Sequence, residues 1–236
     1  MSIEDQIAEA QAAAKNAPTQ GGAVATTNTG GALAQPAAGG AVDMSFGATM
    51  SSGGLQPDAW LNVNETGIRF DKANKKEWID EFVADVDFSQ VKLFVGLRTK
   101  QPGNKQEYIK SYDGKAESRS GTPWPVAMQQ SLATAVEPAD QYRGADILFV
   151  AVEDVAQGKE IKPAGTKFGH TTPVTGFGAF QAFLNELVAN GDVEVIPNAL
   201  DPQGPPSFKG TVRVKVTHIE KSNANYSWGI LGYEKA

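Results

Sequence analysis

The chain has 236 residues, 41% of them hydrophobic, and a formal charge of −6. That length and apolar content suit one buried core with an appendage, and the acidic balance argues against a strongly basic duplex binder, which needs clustered Lys and Arg against phosphate. The absence of cysteine excludes a disulfide scaffold, thiolate zinc sites and thiol nucleophiles, and fits a reducing compartment.

From the start of the chain, Ser2-Ile3-Glu4-Asp5 reads as a capping-box-like signal, and Ile3, Ile7, Ala10 and Ala14 recur at helical steps, so a short helix over residues 2–15 is expected. An isolated helix of that length is marginal in water; it stands either as a solvated flag or as a peptide that docks on a partner. The start is acidic where a secretory signal is basic and then apolar, and no stretch approaches the roughly 18 apolar residues of a membrane span. No membrane association is expected, and the cytoplasm follows, the host cytoplasm if the protein is viral. From Asn16 to Gly54 the chain is mostly Gly, Ala, Thr, Ser and Pro, with Phe46 the single aromatic before Trp60. Such a stretch cannot bury enough apolar surface to offset its ordering entropy. Residues 1–54 are therefore expected to be a disordered tail, and residues 55–236 a single α+β binding domain. Glu4, Asp5, Glu9 and Asp43 against Lys15 place half of the net charge in the tail.

In the domain, Ala59–Val63, a turn through Asn64–Gly67 and Ile68–Phe70 read as a hairpin. Trp78, Phe82 and Val86, with Ile79 and Val83, predict an amphipathic helix from Lys75 to Val86. Val91–Arg98 and Gln106–Tyr112 read as strands joined by the Pro102-Gly103-Asn104 turn. Gly121–Pro125 reads as a rigid loop, because each proline fixes its own φ and restricts the residue before it. Ala145–Val152 is the most apolar run and predicts a central strand buried on both faces. After the Pro163-Ala164-Gly165 turn, Phe177, Phe180, Phe183, Leu184, Leu187 and Val188 predict a second helix ending near Gly191. Thr211–Ile219 and Tyr226–Tyr233 read as closing strands. Seven or eight strands with short polar connections, and no regular βαβ alternation, predict an antiparallel β-barrel or sandwich with two inserted helices, of which an OB-like barrel is one member. No internal repeat is present.

Signals for chemistry are few. His170 and His218 are the only histidines, and the nucleophile-elbow, phosphate-loop and His-Glu-x-x-His patterns are missing. Gly169–Pro173 could present His170 in a loop as a catalytic base, the ordinary alternative being a hydrogen-bonded loop histidine; His218 continues the Val212, Val214, Val216 face as a core-edge residue. Asp85 with Asp87 and Glu153 with Asp154 are candidate cation ligands, but their spacing is not that of a calcium loop, and a helix end and a strand exit are the ordinary readings. No metal, no cofactor and no catalytic residue is expected. Tyr108, Lys110 and Tyr112 alternate with Ile109 and Ser111, so they share one face of a strand. Aromatic, cation, aromatic on one face suits base stacking with phosphate neutralisation, although tyrosines at period two also pack across ordinary sheets. Arg213 and Lys215, Arg98 and Lys100, and Arg119 could complete a cationic groove, and Trp124 between prolines is either a ring for stacking or a packed lid.

Tyr142-Arg143-Gly144-Ala145-Asp146-Ile147 leading into an apolar strand, Phe168–Pro173 before a Phe-rich helix, and the ending Asn225-Tyr226-Ser227-Trp228-Gly229-Ile230 resemble bacteriophage single-stranded DNA-binding proteins. The resemblance covers roughly the second half of the domain and implies an OB-type barrel that coats single strands during replication or recombination. The chain departs from bacterial-type proteins of that function in having its flexible tail at the N-terminus rather than an acidic tip at the C-terminus, which puts partner recruitment by such a tip in doubt. The leading expectation is a sequence-tolerant single-stranded DNA binder using Tyr108, Lys110, Tyr112, Trp124, Arg143, Arg213 and Lys215. Its expected partners are single-stranded DNA and, through the N-terminal tail, replication proteins; a homo-oligomer stands open. The alternative from another class is a structural or assembly protein, a virion or scaffold component with an N-terminal arm, which buried rings and an open sheet edge would favour. A third is a sugar-binding sandwich using Tyr112, Asp113 and Trp124.

Overall fold

Apolar and polar residues alternate through most of the domain, and the alternation builds one large sheet. The structure is a computed structural model that describes residues 55–70, 76–198 and 205–236; the expectations for the N-terminal tail lie outside the described residues. In chain order the strands are β1 (Ala59–Trp60), β2 (Asn62–Val63), β3 (Ile68–Arg69), β4 (Glu81–Asp87), β5 (Lys92–Gln101), β6 (Lys105–Ser111), β7 (Asp140–Ala151), β8 (Val155–Gln157), β9 (Glu160–Lys162), β10 (Lys167–Thr171), β11 (Glu194–Ile196), β12 (Ser207–Lys209), β13 (Thr211–Ser222) and β14 (Ser227–Lys235). Two α-helices are described, α1 (Trp124–Ala133) and α2 (Phe177–Ala189).

The main sheet has eight strands. One path runs β1-β10-β7-β4-β13-β14, and β5 and β6 extend it from the other half of β7. All its pairs are antiparallel except β1 with β10. β7 is the spine: β10 lies along one edge, and the opposite edge is shared by β4 at Val150–Ala151 and β5 at Asp140–Asp146. From Asp85 to Lys92 the chain advances seven residues while its partner moves four, from Val150 to Asp146. Three residues are therefore looped out between β4 and β5, where Phe88–Gln90 form a 3-10 turn. This interruption lets one edge of β7 carry two strands whose far edges diverge, β4 to β13 and β5 to β6. The sheet is mixed and does not close on itself, so neither the barrel alternative nor the wholly antiparallel pairing of the expected barrel or sandwich is formed, whereas the α+β class with mostly strand content holds. No helix among the described residues is long and apolar enough to cross a membrane.

Both helices lie on the same side of the sheet. Phe82, Ala84 and Val86 of β4, Ala145, Ile147 and Phe149 of β7, and Val212, Val214 and Val216 of β13 point to that side and are buried together with Phe180, Phe183, Leu184 and Leu187 of α2. A second, smaller cluster joins Leu97 of β5 to Trp124 and Ala127 of α1.

Two sequence expectations about helix and loop change. The helix expected over Lys75–Val86 is not formed among its described residues, 76–86: Ile79 exchanges backbone hydrogen bonds with Ile68, and Glu81–Asp87 is β4. Residues four apart share a face in a strand as well as in a helix, so Phe82 and Val86 fit both periods, and the β-branched Val83 and Val86 suit the pleated, half-buried alternative. Conversely, the proline-flanked Gly121–Pro125 segment opens α1, with Pro125 in the first turn, where the missing N–H has no intrahelical acceptor to lose. The expected Ala59–Phe70 hairpin forms only as β2–β3, since Ala59–Trp60 pair in parallel with β10 instead; the β5–β6 pair, the buried β7, helix α2 and the β13–β14 hairpin lie where the sequence places them.

Candidate functional site

The register of β5 against β7 reveals a pattern across the two strands. The residues facing away from the helices are Lys92, Phe94, Gly96 and Arg98 on β5, opposite Asp146, Gly144, Tyr142 and Asp140 on β7. Opposite charges meet at both ends, and in between each ring faces a glycine. A Cβ on Gly96 would come within 2.4 Å of the Tyr142 ring, and one on Gly144 within 2.2 Å of the Phe94 ring, so only glycine lets these rings lie against the neighbouring backbone. Gly144→Ala is expected to cost about 1–3 kcal/mol through overpacking, read as a lower denaturant midpoint at an unchanged m-value.

β6 continues this face, because Tyr108 pairs with Arg98 and Lys110 with Gly96. Rings then meet edge to face across the three strands: Tyr108 with Tyr142 at 6.4 Å, Tyr142 with Phe94 at 5.9 Å, and Phe94 with Tyr112 at 6.3 Å. The Lys110 ammonium sits 4.8 Å from the Phe94 ring and 5.2 Å from the Tyr112 ring, and the Lys92 ammonium 5.6 Å from Tyr112. At the centre is Asp146, 1% exposed, accepting from Lys110 Nζ at 2.6 Å, Thr171 Oγ1 at 2.7 Å and the Tyr112 hydroxyl. Burial, then the Asp146 charge, pushes the Tyr112 phenol well above its ordinary range, and burial raises that of Tyr142. Both hydroxyls are therefore neutral donors or acceptors at any ordinary pH.

The seven expected binding residues separate. Tyr108, Lys110 and Tyr112 share this face, and Tyr108 is its most open ring at 46% exposed. Lys110 and Tyr112 are held by Asp146 rather than presented to solvent. Arg213 and Lys215 lie on the same side of the sheet, since Arg213 pairs with Asp85 and Asp85 with Val150, but each is matched to a carboxylate, Arg213 to Asp85 at 2.9 Å and Lys215 to Glu81 at 2.8 Å. Arg143 is exposed on the opposite side, across from Val95. Trp124 is buried beneath α1 against Leu97, so the packed lid, not the stacking ring, is its role. With Trp124 buried and Asp113 closing its own loop through the Lys115 and Ala116 amides, the sugar-binding set does not assemble.

Arg98, a candidate for the cationic groove, belongs to the face, and so do Tyr142, Phe94 and Lys92, which the sequence reading does not name as binding residues. The signal that finds them is the matching alternation in the two strands, Lys-x-Phe-x-Gly-x-Arg and Asp-x-Tyr-x-Gly-x-Asp, which becomes visible only when they are written antiparallel. Arg98 pairs with Asp140, and strengthening by that carboxylate raises the guanidinium pKa.

Along the outer edge of β6 runs a groove of about 480 Å3 lined by residues including Lys105, Gln106, Glu107, Tyr108, Glu117 and Arg119. Tyr108 borders both the groove and the aromatic face. Lys110 O accepts from Ser118 N, so Lys110 turns its peptide groups outward, and alternation turns those of Tyr108 and Gln106 the same way. Glu117 is buried in its own loop; burial works against its charge, but the Ser120 and Arg119 amides and the Ser120 hydroxyl hold its carboxyl below the ordinary range.

The remaining candidates resolve structurally. Asp85 pairs with Arg213, Asp87 caps the Phe88–Gln90 turn, and Asp154 accepts from Ala164 N. Among the described residues no three His, Asp or Glu side chains converge as a metal site. His218 meets Asn64 O at 2.8 Å, half-buried at the core edge. His170 is not in a loop: it lies in β10 opposite Ile147, 3% exposed, and neither ring nitrogen has a hydrogen-bond partner. Burial pushes its imidazole down to about 4, against the opposing pull of the Asp146 charge. It cannot reach a substrate as a base from that position.

Comparison with protein-family models, with curated proteins and with solved structures returned no match.

Proposed function

We propose that this chain is a sequence-tolerant single-stranded DNA-binding protein, not an enzyme, acting in phage-type replication or recombination in the cytoplasm of the cell. One observation carries the reading. The β5–β6–β7 face is left uncovered by both helices, yet it bears Tyr108, Tyr142, Phe94 and Tyr112 in edge-to-face contact, with Lys92, Lys110 and Arg98 among them. An uncovered sheet face ordinarily carries polar side chains; rings interleaved with cations suit nucleobases stacked on π-faces and phosphates held beside them. Tyr108 offers the open ring. Tyr142 supports it from β7, across β5, and Lys92 supplies charge, with Arg98 held beside the rings by Asp140. Lys110 acts from below by holding Asp146 and the two flanking rings. The reading does not depend on an OB barrel, since an open sheet presents the face equally well.

Fluorescence anisotropy of labelled oligo-dT at low and high salt, beside a matched duplex, tests it. The expected result is preferential, salt-weakened binding to the single strand, reduced by Tyr108→Ala. Stacking of one base contributes about 1–3 kcal/mol, so the loss should be roughly 5- to 100-fold in Kd. Absence of binding at tens of micromolar in low salt would sink the reading.

A second reading rests on the outward peptide groups of Gln106 and Tyr108. An open edge accepts another strand, which suits an assembly protein. Sedimentation that shows concentration-dependent association, abolished by Gln106→Pro, with no response to oligo-dT, would put this reading first.

A further inference from the structure

The far end of the β13–β14 hairpin carries a second set of rings. The β13–β14 ladder runs without a slip from Val214–Lys235 to Ser222–Ser227, whereas β4 pairs with β13 only as far as Thr217–Glu81. From Ile219 onward the hairpin therefore extends beyond β4. Near its end Tyr226 and Trp228 lie with ring centroids 5.5 Å apart, tilted by 48°, and Tyr226 is 65% exposed, the most open large apolar side chain described. The Asn223 side chain accepts from the Asn225 and Tyr226 amides, which closes the turn and fixes Tyr226 at its edge. A turn closed in this way needs no aromatic ring for its own stability.

Charge is sorted by the pleat. Lys221 stands directly opposite Trp228, exposed and without a carboxylate partner among the described residues, while Glu220 stands opposite Gly229 on the other side. The Trp228 indole N–H is enclosed with no acceptor. Lys221 shares its side with Ile219, Thr217, Lys215 and Arg213 by strict alternation. Arg213 pairs with Asp85, Asp85 with Val150, and two residues at a time along β7 that side leads to Asp146, opposite Lys92. The hairpin rings and Tyr108 thus occupy the same side of one sheet, with Lys221 differing from Arg213 and Lys215 in having no matching carboxylate.

We propose that Lys221, Tyr226 and Trp228 form a second contact for single-stranded nucleic acid, in which the rings take bases and the ammonium takes a phosphate. This rests on the reading of the Tyr108 face as a strand-binding surface. A strand engaged at both places gains affinity through linkage once it is long enough to span them, and a short one does not.

The test uses the full chain and labelled oligo-dT of about 6 and about 20 nucleotides, within and beyond the site size of a single stacking groove. For Tyr226→Ala and for Lys221→Ala the expected result is binding to the longer oligonucleotide weakened about tenfold, with the shorter one little changed. Quenching of tryptophan emission by the longer oligonucleotide should shrink in Trp228→Phe. Tyr226 and Lys221 are exposed, so circular dichroism should show both variants folded. Wild-type affinity of both variants for the longer oligonucleotide, with Tyr108→Ala weakened, overturns the hairpin contact and leaves the Tyr108 face standing. Absence of wild-type binding at either length overturns both.

Discussion

Asp146→Ala is expected to destabilise the domain by about 3–5 kcal/mol, the range for removing one partner of a buried ion pair. Asp146 is 1% exposed and its carboxylate is the shared acceptor for Lys110, Tyr112 and Thr171. Without it the Lys110 side chain, 13% exposed, keeps its position between the Phe94 and Tyr112 rings but has no anion, and two hydroxyls lose their acceptor. The large cost comes from the orphaned charge rather than from the net worth of the pair. Hence Asp146→Ala combined with Lys110→Met should recover much of the loss, because the methionine can fill the same space without a charge. Guanidinium denaturation of the wild type, the single variant and the double variant measures both. A single variant within about 1 kcal/mol of wild type would show that Asp146 does not hold the face together. Because the same carboxylate positions Lys110 and Tyr112 under Tyr108 and Tyr142, the double variant should be well folded yet weaker than wild type toward oligo-dT.

The stability of the wild type is expected to fall by about 3 kcal/mol between pH 6.5 and pH 4 on account of His170 alone. The imidazole is neutral in the folded state down to about 4 but takes a proton near 6.5 when unfolded. Between those values the unfolded chain binds the extra proton, so stability drops as pH falls, and it is flat above 6.5. The interval, at about 1.4 kcal/mol for each tenfold, gives the magnitude. Asp85, Asp87, Asp113 and Glu117 have lowered pKa values in the fold. Their stabilisation is present above the ordinary carboxylate range and is lost as pH falls through their folded values, which places it lower on the pH scale. His170→Leu isolates the histidine: its stability should stay level from pH 7 to about 4.5, where the wild type declines. Parallel curves for the two proteins over that range would mean that His170 is not held neutral in the core.

Much of this architecture was legible because a strand declares its face two residues at a time. Tyr108, Lys110 and Tyr112 had to share a side once β6 was a strand, and Ala145–Val152 had to be central because no polar residue after Asp146 breaks its apolar run. Helix α2 was equally plain, since Phe180, Phe183, Leu184 and Leu187 fit helical spacing alone. β4 was misread because a spacing of four satisfies both periods, and the choice was made by pairing with β7 and β13, far away in the chain. Helix α1 was misread because proline restricts a loop and starts a helix through the same fixed φ.

The sequence by itself determined the strand faces, the absence of thiol chemistry, and the presence of rings and cations at alternate positions. Only the tertiary structure decided which of those residues meet and which remain open. Arg143 and Tyr142 are neighbours in sequence and opposite in the sheet; Lys110 is drawn inward by Asp146, 36 residues later. Alternation is a local property of the backbone. Exposure and charge matching depend on register between distant strands, and here the Arg98–Asp140 pair and the ring-over-glycine contacts between β5 and β7 take shape only when the two strands lie side by side.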